Sequence, residues 1–183
     1  MLIKLSGFMV AVSLLLAGGS MANAKQLELE RLFADPALSG TTPRSLTMAP
    51  DGSRVTYLKG KAADANRLDL WQYHIKDGQH SLLVDANSLL SGTETLSDEE
   101  KARRERMRLF ASGIISYSWS KNSDALLFPL NGDLYYYQLS SKTAKKLTDT
   151  SEFETDATIS PTGRYVAFIR NQNLFVLEIA SGK

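Results

Sequence analysis

A segment that combines a tight turn with an alternating strand occurs three times in the 183-residue chain. The copies span residues 48–57, 119–128 and 159–168, and two of them contain Ala-Pro-Asp-Gly-Ser-Arg and Ser-Pro-Thr-Gly-Arg-Tyr. Proline fixes φ at the corner of such a turn, and glycine two residues later accepts a positive φ. Each copy therefore predicts two strands joined by a tight turn.

Further strands follow these copies. A third strand of matching type is predicted at 69–73, 133–137 and 173–177, and a fourth at 81–84 and 145–148. Four antiparallel strands recurring at about 40 residues are typical of β-propeller blades. We therefore predict an all-β fold for residues 44–183, an incomplete β-propeller of about three four-stranded blades. A complete small β-sandwich is the alternative, because sandwiches also have short strands at this density.

The third unit reaches the turn Ser181-Gly182-Lys183, one strand short of a complete blade. A propeller closes with roughly four to eight blades, because each blade buries its apolar faces against its neighbours. We therefore expect the chain to be the truncated N-terminal portion of a longer protein.

Residues 1–24 have the pattern of a signal peptide. Lys4 precedes an uncharged run over 5–17, and the segment closes with Ala22-Asn23-Ala24, the small-x-small pattern that signal peptidase accepts. The run is shorter than the about 20 residues that a membrane span needs, which disfavours the alternative of an N-terminal anchor. We predict cleavage after Ala24 and a periplasmic protein that has no membrane attachment after cleavage.

Two helices interrupt the strand pattern. In the N-terminal segment 25–43, residues 26–33 form an amphipathic pattern with Leu29, Leu32 and Phe33 on one face. Between the first two blades, the insertion 97–110 begins with a predicted capping box, in which Ser97 is the N-cap and Glu100 is at N3. We expect Ser112-Gly113 to end this helix.

The inserted helix is rich in arginine. Five basic side chains occur within residues 101–108, against the single acid Glu105. A planar guanidinium suits a carbonyl or carboxylate ligand, although such runs are often only solvated helix faces. No wider basic face accompanies the run, so we expect no nucleic-acid partner.

The residues indicate no cofactor or metal. The chain has no cysteine and only two histidines, too few for a histidine-rich metal cage. His74 lies in a third-strand pattern and His80 in a turn, and we interpret both as structural.

The sequence resembles the dipeptidyl peptidase IV family of serine peptidases, in particular its bacterial periplasmic branch. The resemblance rests on the order of signal peptide, blade and arginine-rich helix. It also rests on Arg-Glu-Arg-Met-Arg-Leu at 104–109 and Gly-Ile-Ile-Ser-Tyr-Ser-Trp at 113–119.

The resemblance implies an eight-bladed propeller that caps an α/β-hydrolase domain. Such enzymes release dipeptides from peptides that have a free N-terminus and Pro or Ala in second position. A glutamate pair on the propeller binds the amino group, and an arginine of the propeller insertion contacts the substrate backbone. Among Arg103, Arg104, Arg106 and Arg108, we assign this role to Arg106, with Arg103 or Arg108 next.

The chain departs from the family by omission. No Gly-x-Ser-x-Gly elbow occurs in it, and the Ser-Asp-His triad is implied in the absent hydrolase domain. The acids at 98–100 are interpreted as helix-start residues, and the family's glutamate pair falls beyond residue 183. We therefore expect these 183 residues alone to be inactive. Homodimerisation, common in the family, leaves no clear mark in the blades.

Two alternatives remain open. One is a non-catalytic periplasmic propeller similar to the Tol-system translocation protein, whose blade repeats look much the same and which needs no arginine helix. The other is a related exported oligopeptidase that does not require a free amino terminus.

Overall fold

A computed structural model of the chain describes residues 27–34, 37–90, 94, 96 and 98–183. The predicted signal peptide and Ser97 of the predicted capping box lie outside the described residues. No helix within them is long and apolar enough to cross a membrane.

The described residues form two short α-helices and twelve strands, most of them in antiparallel sheets. The helices are α1 (Leu29–Phe33) and α2 (Asp98–Arg106). The strands are β1 (Arg44–Met48), β2 (Arg54–Gly60), β3 (Arg67–His74), β4 (His80–Val84), β5 (Ser112–Gly113), β6 (Ser118–Trp119), β7 (Ala125–Leu130), β8 (Asp133–Gln138), β9 (Thr143–Lys146), β10 (Thr155–Ile159), β11 (Tyr165–Arg170) and β12 (Asn173–Glu178).

The strands form three successive sheets, as the repeat predicts. Blade 1 has the order β1-β2-β3-β4, blade 2 has β6-β7-β8-β9, and blade 3 has β10-β11-β12. Neighbouring strands within each of these orders are antiparallel and consecutive in the chain. This arrangement confirms the all-β propeller prediction.

Blade 2 is buried on both faces, and its strands alternate between two hydrophobic clusters. Leu126, Phe128 and Tyr135 point toward blade 1 and pack in one cluster with Leu58 and Leu70. Because successive strand residues point to opposite faces, their neighbours point toward blade 3. Burial on both sides explains why β7 and β8 are apolar along most of their length.

The second cluster joins blade 2 to blade 3. Leu127, Leu134 and Tyr136 pack there with Val166 and Phe168. The same sheet therefore serves two interfaces, which is the stacking of propeller blades and differs from the two facing sheets of a sandwich.

A two-residue turn joins β7 to β8 at one end of blade 2. Asn131 and Gly132 both have positive φ, 54° and 94°, and Leu130 pairs directly with Asp133. These are the features of a type I′ hairpin turn, for which Asn-Gly is the favoured sequence. The turn lies at the end of the blade where the first strands of blades 2 and 3 begin.

Helix α1 exposes the apolar side chains that its sequence pattern places on one face. Leu29, Leu32 and Phe33 are 65%, 46% and 84% exposed, and α1 has no buried residue. Its predicted amphipathic face is therefore uncovered by the residues that the structure describes.

Candidate functional site

The arginine helix α2 is attached to blade 1 at both of its ends. After α2 the chain returns to blade 1, where β5 pairs in parallel with the start of β3. Gly113 of β5 has φ +75°, and a Cβ there would lie 2.5 Å from the carbonyl oxygen of Leu68. Gly113 is therefore required for close approach to β3, whereas the sequence predicted that it ends the helix.

Glu94, which precedes α2, binds the helix and two strands of blade 1. Its carboxylate accepts hydrogen bonds from the backbone N–H of Gly113 at 3.0 Å and from Arg104 Nη2 at 3.1 Å. Arg67 Nη1 of β3 lies 3.4 Å from the same carboxylate. One buried acid thus connects the helix, β5 and β3.

Glu100 is the second buried acid of this network. It accepts hydrogen bonds from Arg103 Nε and Nη2 at 2.6 and 2.9 Å, and from Arg104 Nε at 2.9 Å. Burial opposes ionisation, but the two guanidinium groups outweigh it and lower the pKa of Glu100. Glu100 is a helix-start residue, as predicted, and it is also the counter-ion that holds two arginines.

Helix α2 ends at Arg106, earlier than the predicted end at residue 110. The N–H of Leu109 donates to the carbonyl of Arg104 at 2.8 Å, and that of Arg108 to the carbonyl of Glu105 at 3.0 Å. These two bonds form a Schellman motif with Arg108 in the left-handed position, at φ 53°. Glycine is favoured at this position, so the sequence gives no signal of the stop.

The structure divides the four candidate arginines by environment. Arg104 is buried at 7% exposure and has both acids and the Ala111 carbonyl as partners, so its role is to dock the helix. Arg103 is half-buried against Glu100. Arg106 and Arg108 are exposed and form no ion pair with another residue that the structure describes.

A cleft of about 500 Å³ lies between α2 and the adjoining ends of blades 2 and 3. Its walls include Arg103 on α2, Tyr117 before β6, the Asn131–Gly132 turn, and Asp156 in β10. Arg106 and Arg108 are not among the residues that line it. Of the three predicted substrate-binding arginines, the structure therefore brings only Arg103 into this cleft.

Two acids lie on the blade 3 side of the cleft. Glu154 is buried and accepts hydrogen bonds from the hydroxyls of Thr150 and Thr148 at 2.8 and 3.0 Å. Burial raises the pKa of Glu154. Asp156 is exposed, and its charge adds to that of Glu100 in raising the pKa of Arg103. The cleft thus has the Arg103 guanidinium, paired with Glu100, on one wall and the carboxylates of Glu154 and Asp156 on the other.

The two histidines lie away from the cleft. His80 Nδ1 is 2.8 Å from the hydroxyl of Tyr57, and its ring packs on Tyr73 at 4.8 Å between centroids. Both contacts are with side chains of the neighbouring strands β2 and β3, and His80 itself is exposed. Within the described ranges, no three histidine, aspartate or glutamate side chains are grouped as metal ligands would be.

Three acids of this region were not predicted from the sequence, namely Glu94, Glu154 and Asp156. A signal existed for the contacts of Glu100, because Arg103 and Arg104 follow it at i+3 and i+4, the spacing of helical ion pairs. Glu94 and Asp156 reach α2 only through tertiary structure, and no local spacing indicates them.

Residues 119–183 match the family model for the dipeptidyl peptidase IV (DPP IV) N-terminal region. This match covers blades 2 and 3 from Trp119 onward, and it confirms the resemblance to that family's propeller region. Helix α2 lies before the matched residues.

Solved structures with a similar fold include two TolB proteins and a protease. TolB from Acinetobacter baumannii has a TM-score of 0.51 at 16% identity, covering 78% of this chain and 31% of that protein. A putative TolB from Agrobacterium tumefaciens has a TM-score of 0.50 at 12% identity, covering 78% of this chain and 47% of that protein. The tricorn protease has a TM-score of 0.52 at 12% identity, covering 77% of this chain and 12% of that protein. The chain spans less than half the length of each, and at these identities the likeness shows the fold alone.

Proposed function

We propose that the chain is the N-terminal propeller region of an exported serine dipeptidyl peptidase that releases X-Pro and X-Ala dipeptides from peptide N-termini. In this proposal, the chain supplies elements that orient the substrate. The catalytic serine, aspartate and histidine belong to an α/β-hydrolase domain outside these residues. The family match over blades 2 and 3 is one support.

The observation that carries the proposal is the way α2 is held. An insertion that served only as a loop would need no buried ion network. Here, Glu94, Glu100 and Arg104 have side-chain exposures of 6%, 2% and 9%. A network of this kind orders the helix, so that the arginines on its other faces occupy defined positions.

Arg106 is the arginine that we assign to the substrate. It is exposed and uses none of its donors on an ion pair within the described residues. A guanidinium that donates to a substrate carbonyl near the scissile bond would hold the bound peptide backbone in place. A carboxylate pair farther along the propeller would bind the ammonium and so set the two-residue length of the product.

The proposal is tested by product analysis of the protein as the cell makes it. The full-length protein is incubated with the peptide Ala-Pro-Ala-Ala-Phe and, separately, with the same peptide acetylated at its N-terminus. The products are identified by mass spectrometry. We expect Ala-Pro from the free peptide and no product from the acetylated one, because acetylation removes the ammonium.

Other outcomes separate the alternatives. Cleavage of the acetylated peptide would identify an oligopeptidase without the amino-terminal requirement. If neither peptide is cleaved, the peptidase proposal is wrong, and a non-catalytic propeller becomes the better interpretation.

We also propose that the protein is exported to the periplasm with its signal peptide removed. The pattern over residues 1–24 supports this proposal. Sequencing of the N-terminus of the purified protein should give Lys25 as its first residue, and an intact Met1 would contradict cleavage.

A further inference from the structure

The basic side chains of residues 101–108 fall into two groups. The first three in the chain each lie 2.6–2.9 Å from a carboxylate, and these are Lys101, Arg103 and Arg104. Arg106 and Arg108 have no such carboxylate among the residues that the structure describes. Among the described residues, the basic side chains at the start of this run are therefore paired with carboxylates, and the two at its end are not.

The backbone holds Arg108 in a conformation that its residue type disfavours. Its left-handed conformation, at φ 53°, favours glycine. Its side chain is exposed and takes part in no ion pair with a described residue. A functional use of the guanidinium would account for an arginine at a position that favours glycine.

Two apolar side chains lie beside these arginines. Met107 is 55% exposed and Phe110 is 80% exposed. We refer to residues 106–110 as the helix tip. Arginine, methionine and aromatic residues are the types enriched where proteins bind other chains. The tip thus combines positive charge with apolar surface, which suits a peptide that carries a carboxylate among apolar side chains.

We propose that the helix tip gives the peptidase a preference for substrates with Asp or Glu shortly after the scissile bond, with Arg108 as the specificity-determining residue. This inference rests on the proposed function and on the assignment of Arg106 to the substrate backbone. Arg108 lies just beyond the end of α2, and Cα atoms two residues apart in any chain are at most about 7 Å from each other. An extended peptide advances about 3.3 Å per residue. Arg108 would therefore meet a side chain about two residues beyond the carbonyl held by Arg106.

The expected preference is modest because the tip is exposed. Two unit charges about 4 Å apart in water interact strongly enough to change kcat/KM about five-fold. Salt screens such an interaction, since the Debye length falls to about 3 Å at 1 M ionic strength. The preference should therefore weaken as salt is added, whereas a preference due to shape should not.

The experiment uses the full-length protein and a set of peptides Ala-Pro-Ala-X-Ala-Phe, in which X is Asp, Asn or Lys. Values of kcat/KM are measured in competition by mass spectrometry, at low ionic strength and in 0.5 M NaCl (about 4 Å Debye length). The variant is Arg108→Gln. The matched control is Lys121→Gln, which removes an exposed positive charge from the β6–β7 turn at the other end of blade 2.

We expect the wild-type protein and Lys121→Gln to cleave the Asp peptide about five-fold better than the Asn peptide at low salt. We expect Arg108→Gln to lose most of this preference. Equal rates for Asp and Asn in the wild type, or an unchanged preference in Arg108→Gln, would overturn the inference while leaving the peptidase proposal intact. If no peptide is cleaved, the proposed function itself is wrong, and the inference falls with it.

Discussion

Replacing Arg104 by alanine tests whether the buried ion network holds α2 against blade 1. Arg104 donates to Glu100 at 2.9 Å, to Glu94 at 3.1 Å and to the carbonyl of Ala111 at 3.3 Å. Its side chain and those of both acids are at most 9% exposed. Its removal therefore leaves charged groups in a poorly solvated place.

The size of the effect follows from the partners that remain. Breaking a buried ion pair by removing one member costs about 3–5 kcal/mol. Glu100 keeps its two hydrogen bonds from Arg103, and Glu94 keeps the N–H of Gly113. We therefore expect the free energy of opening α2 to fall by about 3 kcal/mol, the lower end of this range.

Native-state hydrogen exchange measures this free energy directly. Amides of α2, such as the N–H of Met107 that donates to Arg103, should exchange about 100-fold faster in Arg104→Ala. The exchange rates of the β7 amides should change far less. Arg106→Ala is the matched control, since its side chain is exposed and has no ion pair with a described residue. Equal exchange in the two variants would refute the argument that the network docks the helix.

Three further predictions concern stability. The pKa of Glu100 lies below its ordinary 4.5, so its ionised form adds stability above that value, which is lost as the pH falls through the folded pKa. Melting temperatures of the wild type and Glu100→Gln should differ at neutral pH and converge in acid, and a constant gap would contradict this. Arg108→Gly should raise the free energy of unfolding in urea by about 0.5–1 kcal/mol, and a decrease would contradict the left-handed assignment. Phe128→Ala should lower the free energy of unfolding by about 3–5 kcal/mol, because Phe128 is fully buried and stacks on Tyr135. The exposed control Leu174→Ala should stay within about 0.5 kcal/mol, and a similar loss in both would contradict the assigned core.

Most of the blade architecture was predictable because its determinants are local. The turn segments of the repeat, such as Pro50 to Gly52 and Pro161 to Gly163, fix where strands begin. The continuous apolar runs of β7 and β8 reflect the two faces that each strand buries. Neither signal requires knowledge of the residues that a strand meets in space.

The site was less predictable because burial and pairing depend on distant residues. The charge run over 101–108 indicated a helix, but not that Arg104 points inward and Arg106 outward. Glu94 becomes a partner of Arg104 only once β5 has brought Gly113 to the edge of β3. The end of α2 at Arg106 depends on the left-handed conformation of Arg108, which its residue type disfavours.

The most direct test of the account is the kinetics of Arg106→Ala in the full-length protein with Ala-Pro-p-nitroanilide. Hydrogen bonds from a charged group are worth about 1.5–3 kcal/mol, so we predict that KM rises at least about ten-fold with little change in kcat. Lys121→Ala should leave both constants unchanged. If Arg106→Ala has the same KM and kcat as the wild-type protein, the arginine helix does not bind the substrate through Arg106, and the account is contradicted.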